Sequence, residues 1–248
     1  MQPLTSATPF RSGHPRAAAA VFLLAASLAT HALSAVSSLI KLATGAAARV
    51  ATEEEDINLF DLLDLGLGLL YLIVFVSTVV VFCMWLHRAY QNLPALGNPR
   101  PGLQYSPRWA VGSFFVPFAN LIIPYRAVRE TWAKSDPVTV DADYFAPLEP
   151  SSPSFLNVWW GFWLASNFVH NASFRVRMRG TTPDAMLAAT WLDLAGDLLS
   201  IVAAALAIKA VRAIDRRQEE RSRRVVYEAA GPPPPPLFTP QTQAGGQV

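Results

Sequence analysis

Long runs without charge dominate the pattern of polar and apolar positions along this chain. The first covers 17–40 (AAAAVFLLAASLATHALSAVSSLI) and is broken only by His31; the others lie at 65–86 (LGLGLLYLIVFVSTVVVFCMWL), 155–174 and 185–208. Each approaches or exceeds the ~20 residues that carry a helix across ~30 Å of hydrocarbon. A fifth stretch is different. Between Arg108 and Arg126 lie seventeen apolar or weakly polar residues, 109–125, interrupted by Pro117, Asn120 and Pro124. Each proline removes a backbone hydrogen bond, which a soluble core helix does not tolerate mid-face. A membrane protein tolerates such breaks where neighbouring helices or waters satisfy the freed backbone groups. The pattern predicts an all-α, polytopic membrane helical bundle: four spanning helices (17–40, 60–86, 155–174, 185–208) plus a proline-broken, membrane-embedded segment, re-entrant or a fifth span.

Charge placement bears on that last choice. With four spans and a re-entrant 109–125, fifteen Lys and Arg residues fall on the cytoplasmic side and five outside. A full fifth span makes the division twelve against eight at best. The positive-inside bias favours the first arrangement, with both termini cytoplasmic. At ~1.5 Å per residue the apolar part of 109–125 reaches only ~25 Å, short of a clean crossing. Trp109 and Tyr125, at its ends, suit interfacial anchoring under either topology.

Composition agrees: 52% hydrophobic and 15% charged residues are too apolar a mixture for an average soluble domain. The chain divides into a polar N-terminal tail (1–16), an integral membrane domain (17–212) and a C-terminal tail (213–248). Arg11 and Arg16 precede the first run as in a signal peptide, but the run exceeds a 7–15-residue signal core, so an uncleaved anchor is expected. The fourth and fifth runs are joined by RVRMRGTTPDA, where Thr182 can cap and Pro183 can open a helix, forming an antiparallel hairpin. VRAIDRRQEERSRR then leaves the membrane as a positive-inside anchor able to contact anionic lipid. GPPPPPLFTPQTQAGGQV follows, a Pro/Gly-rich tail whose composition predicts disorder. Cys83 is the only cysteine, which excludes intramolecular disulfides.

Ionisable groups at membrane depth are the default functional candidates, because burying charge there costs a few kcal/mol or more. Asp193 and Asp197 stand four apart on one face of the last helix; Asp61 and Asp64 stand three apart at the start of the second. Counting back from the short turn at 175–183 brings Asn167, His170 and Asn171 to the depth of Asp193. The spacing predicts that Asp193 is buried with His170 or Asn167 as its partner. A structural polar bridge, aided by small residues such as Ala195 and Gly196, is favoured over a proton or cation site. His31 is expected to make an interhelical hydrogen bond, and Trp159, Trp160 and Trp163 to form an aromatic belt at a membrane surface. Walker, GxGxxG, HExxH, GxSxG and CxxC motifs are absent, so no cofactor, metal, catalytic set or nucleic-acid partner is expected.

FCMWLHRAYQNLPALG, YSPRWAVGSFFVPFANLIIPYRAVRETWAKSDP and LNVWWGFWLASN form one motif series. It resembles the uncharacterised bacterial membrane-protein family called domain of unknown function 4328 over about 60–212. The resemblance rests on Trp85, Arg88, Asn92, Pro107, Trp109, Pro117, Asn120, Pro124, Tyr125, Trp159 and Trp160. Ser113-Phe114 departs from it, since an aromatic pair is commoner there. The resemblance implies a plasma-membrane protein and supplies no substrate. Arginine-heavy, alanine-rich usage suits a high-GC bacterium such as an actinobacterium. The expected role is a non-enzymatic membrane module, structural or regulatory through lipid, a protein partner or a second copy. The alternative is a small transporter or ion-responsive protein that uses intramembrane acids beside a broken helix.

Overall fold

Proline and glycine set most helix ends in the computed structural model, which describes residues 9–48, 59–97, 102–137, 153–180 and 182–230. Helix α1 (His14–Thr44) has Pro15 in its first turn and stops at Gly45, whose φ of +71° suits a residue without Cβ. Helix α2 (Leu59–Asn92) tightens into a 3-10 turn, Leu93–Leu96, and ends at Gly97 with φ +60°. Helix α3 (Pro107–Gly112) is capped by Ser106, whose hydroxyl accepts the Trp109 N–H at 3.2 Å. Helix α4 (Ile123–Lys134) carries Pro124 in its first turn, and α5 spans Ser154–Arg179. Helix α6 runs from Pro183 to Ala230, with Thr182 Oγ1 accepting from Ala185 N as anticipated. No strand occurs among the described residues.

Three helical stretches are long and apolar enough to cross a membrane: His14–Thr44, Leu65–Leu96 and Pro183–Val226. Helix α5 has 26 residues, or ~39 Å, but Asn157, Asn167, His170, Asn171 and its arginines dilute its apolarity. The stretch 109–125 forms no helix of crossing length; the longest piece near it is the 12-residue α4. The chain breaks at Val116–Phe118, where Phe118 adopts φ +63°, a strained conformation for a bulky residue. Pro117 deletes a donor there. Trp160 Nε1 donates to the Leu121 carbonyl at 2.9 Å, which satisfies one acceptor the break sets free. Phe115, Phe118 and Ile122 at the turn are exposed.

Helix α6 is the axis of the bundle. It packs against α5 on one side and α1 on the other, and α1 in turn covers α2. Small residues line it (Ala189, Ala203, Ala204, Ala207, Ala210), allowing the close approach that membrane helices use. Helix α3, helix α4 and the end of α2 pack together around Tyr90, Leu93, Ala110 and Ala127, so both arms of the broken segment sit at one end of the bundle. The tryptophans expected in a surface belt are core instead. Trp159 and Trp160 are buried among Phe82, Trp85, Phe114 and Trp163, because their rings pack against aromatic side chains of α2 and of the broken segment rather than facing outward.

The boundary placed at residue 213 falls inside α6, which continues in helical form to Ala230; the residues beyond, with the polyproline run, lie outside the described residues. At 48 residues α6 is ~72 Å long, so it far exceeds a bilayer and projects as a strut. The projecting part organises the cap. Gln218 Nε2 donates to Ala89 O (2.9 Å) and Ser135 Oγ (3.1 Å). Arg221 is fully buried and donates to the carbonyls of Leu96 (2.6 Å), Gly97 (3.4 Å) and Asp136. Arg217 pairs with Asp136 at 2.6 Å and lies over the Trp132 ring at 4.1 Å. Truncating Arg221 strands the buried Leu96 carbonyl and removes the part-buried bonds to Gly97 and Asp136, so Arg221→Ala should destabilise the fold by about 2–3 kcal/mol. The exposed Arg223→Ala should stay within about 0.5 kcal/mol. Denaturant unfolding in detergent micelles measures both.

Candidate functional site

Helix α5 presents Ser166, His170 and Ser173 at spacings of four and three, a stripe that faces α6. Helix α6 answers with Ala189, Gly196 and Asp197, all buried. On α1, Leu24, His31, Ala35 and Ser38 form the buried stripe. These faces meet at Asp197, which is 2% exposed, with His31 at 6%. His31 Nδ1 lies 2.8 Å from Asp197 Oδ1, and His170 Nε2 lies 3.4 Å from the same oxygen. The second oxygen, Oδ2, is buried without a hydrogen-bond partner, and the Ser34 hydroxyl, one turn along α1 from His31, hydrogen-bonds the carboxylate as well. The two imidazoles meet edge to face, centroids 5.8 Å apart, and Tyr71 of α2 stands edge-on to His31 at 5.4 Å.

The hydrogen bonds constrain where protons can be. The Ser166 carbonyl lies 3.0 Å from His170 Nδ1 and can only accept, so Nδ1 carries a hydrogen. A neutral His170 ring therefore turns a lone pair from Nε2 toward Asp197 Oδ1. Two lone pairs at 3.4 Å repel unless a proton, on the ring or on the carboxyl, or a bound cation lies between them. A buried carboxylate is stable only with such compensation.

Gly196 makes the approach possible. A Cβ there would fall 2.4 Å from His170 Nδ1 and 2.5 Å from Cε1. The junction also fixes register. His14 Nδ1 meets Asp215 Oδ2 at 2.8 Å, so α1 and α6 are pinned at two levels seventeen residues, ~26 Å, apart along α1.

Sequence spacing located the right helices but paired the wrong carboxylate. Asp193 does not take His170 or Asn167. It accepts from the Ser173 hydroxyl and from Arg177, with its side chain 30% exposed. His170 goes to Asp197, one turn further along α6 than the count back from the connecting turn indicates, while Ser173 and Arg177 take Asp193. Asn167 is exposed and donates to the Trp163 carbonyl at 2.6 Å. Asp61 and Asp64 lie on the first turns of α2, and their side chains fall outside the described residues. His31, expected to bond between helices, does so, and its partner is the site's central carboxylate.

The motif residues gather elsewhere, around the cap. Trp85 is buried at 1%; Asn92 Nδ2 donates to Arg11 O at 2.9 Å and reaches Gln218 at 3.4 Å; Tyr125 OH donates to Asn157 Oδ1 at 2.5 Å. Arg88 lines a cleft with Arg11 and Arg16. Pro107 and Pro124 open α3 and α4, while Trp109 is exposed and Asn120 half-buried. Glu130 escaped notice in the sequence. It is buried, accepts from Tyr90 OH and from the Gln104 N–H at 3.0 Å, and pairs with Lys134 at 2.9 Å. A lone acid among the arginines and the lysine of a short basic helix was the available signal.

Long apolar helices around a buried polar junction define a helical membrane protein. A family described as "Domain of unknown function (DUF4328)" matches residues 48–216, and the chain belongs to that family. No curated protein and no solved structure matches the chain. The match includes His170 and Asp197; His31 precedes it.

Gly196→Ala should cost about 1–3 kcal/mol through overpacking against His170. Gly161→Ala on α5 meets open space and should be neutral or stabilising by up to about 1 kcal/mol. Unfolding of the two variants in the same detergent tests this, and equal stabilities would remove the close approach at Gly196.

Proposed function

We propose that this chain is a non-enzymatic, cation-responsive regulatory module of the membrane. The observation behind this reading is that one continuous helix carries both the buried junction at Asp197 and the cap residue Arg221. They are 24 residues, or ~36 Å, apart along α6. A change in charge or ligation at Asp197 alters how α1 and α5 grip α6. Any shift of α6 then reaches the bonds that Gln218 and Arg221 make to Ala89, Leu96 and Asp136. Three helices converging on one buried carboxylate favour this over a purely structural bridge, which needs one partner and leaves no unsatisfied oxygen.

In the bilayer we take α1, α2, α5 and α6 as four spans and 107–134 as a re-entrant segment. Both termini then lie in the cytoplasm of a bacterium and the protein resides in its plasma membrane. Support comes from the two arms of the broken segment packing at one end of the bundle and from the apolar tip at Phe115, Phe118 and Ile122. The Lys/Arg bias points the same way. Arg212, Arg216 and Arg223 are exposed along the projecting part of α6 and would contact anionic lipid, at about 1 kcal/mol each near the surface. A protein partner or a second copy would receive the signal at the cap.

Coupling along α6 is tested by hydrogen exchange on the full chain in nanodiscs. Asp197→Asn should raise exchange at 93–97 and 131–137 as well as around the junction. Change confined to 166–174 and 189–201 would show that the cap does not sense the junction. For topology, single cysteines replacing Phe118 and Arg129 in a Cys83→Ser background should divide. Residue 129 should react with an impermeant reagent only from the cytoplasmic side, and residue 118 from neither. Labelling of 129 from outside would make the segment a span.

A further inference from the structure

We infer that His31, His170 and Asp197 form a binding site for a first-row divalent metal ion of the zinc class, which deepens and rests on the reading of this junction as cation-responsive. Each residue offers one ligand atom, and these atoms lie within 4.8 Å of one another. Tetrahedral zinc, with bonds of about 2.0–2.2 Å to nitrogen and oxygen, needs ligand atoms about 3.3–3.5 Å apart. The His170–Asp197 separation of 3.4 Å already meets that requirement. The His31–Asp197 separation of 2.8 Å is a hydrogen bond and would open by roughly half an ångström as the metal replaces the proton.

Two further features suit a metal site. His170 gives its Nδ1 hydrogen to the Ser166 carbonyl, which orients the ring and leaves Nε2 as the ligating nitrogen. That carbonyl contact is the outer-sphere arrangement metal-bound histidines almost always show. Both imidazoles approach Asp197 Oδ1, while Oδ2 is buried with no hydrogen-bond partner, so a cation at Oδ1 would compensate a carboxylate whose other oxygen has no donor of its own. Gly196 keeps open the space in which the His170 ring sits against α6.

The donor set names the chemical class. Two imidazoles and one carboxylate suit zinc and its first-row neighbours, whereas magnesium and calcium favour all-oxygen cages. Three protein ligands leave a fourth position for water, the pattern of an exchangeable ion rather than a closed structural one. Because the ligands come from α1, α5 and α6, binding would clamp the three helices at one level.

The test uses tag-free, full-length protein, purified in detergent, stripped with a chelator and dialysed. Titration with Zn2+ followed by elemental analysis should give one equivalent per chain, and Co2+ should give the absorption of a tetrahedral site. Mg2+ at the same concentration should not compete. Asp197→Asn and His170→Gln should each weaken Zn2+ binding at least 100-fold, while Asp193→Asn, whose carboxylate serves Ser173 and Arg177, should bind as wild type. Circular dichroism and gel filtration confirm that each variant compared is folded. If Asp197→Asn does not fold, His170→Gln together with loss of Zn2+-induced thermal stabilisation decides. Absence of stoichiometric Zn2+, or equal binding by wild type and the folded variants, would overturn the proposal. Hydrogen exchange at the cap in metal-free Asp197→Asn reads the α6 coupling independently, so that reading can stand or fall separately.

Discussion

A carboxylate buried where three helices meet must be compensated, and that requirement governs the bundle. In a low-dielectric interior an unpaired charge costs several kcal/mol, more than a small membrane protein can spare. Asp197 therefore needs donors from outside its own helix, and they come from α1 and α5. Bringing His170 within reach demands that α5 approach α6 closely, which only glycine at 196 permits. With His14 and Asp215 paired at a second level, α1 has little freedom to slide along α6. One buried charge thus sets the register of three helices.

The cap applies the same physics with the sign reversed. Arg221 is a buried cation whose partners are carbonyls at the ends of short helical turns: Leu96 and Gly97 after α2, Asp136 after α4. Helix C-termini expose unsatisfied carbonyls and carry partial negative charge, so a guanidinium fits there well. Glu130 provides the matching anion nearby, gathering Tyr90, Gln104 and Lys134. Two levels of α6, 24 residues apart, are each locked by a buried ionic group, Asp197 and Arg221, with an alanine-lined stretch between them. That arrangement suits transmission, because a rigid helix between two discrete contact sets moves as a unit.

The proline-broken segment depends on neighbours rather than on itself. Its longest helix is too short to persist alone, and Phe118 is held in a conformation that bulky residues avoid. Trp160 compensates by satisfying the Leu121 carbonyl, while Tyr125 ties the start of α4 to Asn157 of α5. The tryptophans of α5 are consequently part of the core that holds this segment.

The helical class, the positions of the long apolar helices, the break at Pro117 and the cap at Thr182 were legible in the sequence. Each follows from local rules of length, apolarity and backbone chemistry. That α5 and α6 would face one another near His170 was legible too, from the short turn between them. Which aspartate meets His170 was not, because Asp193 and Asp197 lie one turn apart on the same face and the register of two packed helices is set by tertiary packing rather than by a local pattern. The partner of His31 and the roles of Glu130 and Arg221 escaped for a related reason. Their partners lie 166, 40 and 125 residues away along the chain, and only packing brings them together. Local sequence decides which segments become helices, whereas the burial of a charge depends on everything that folds around it.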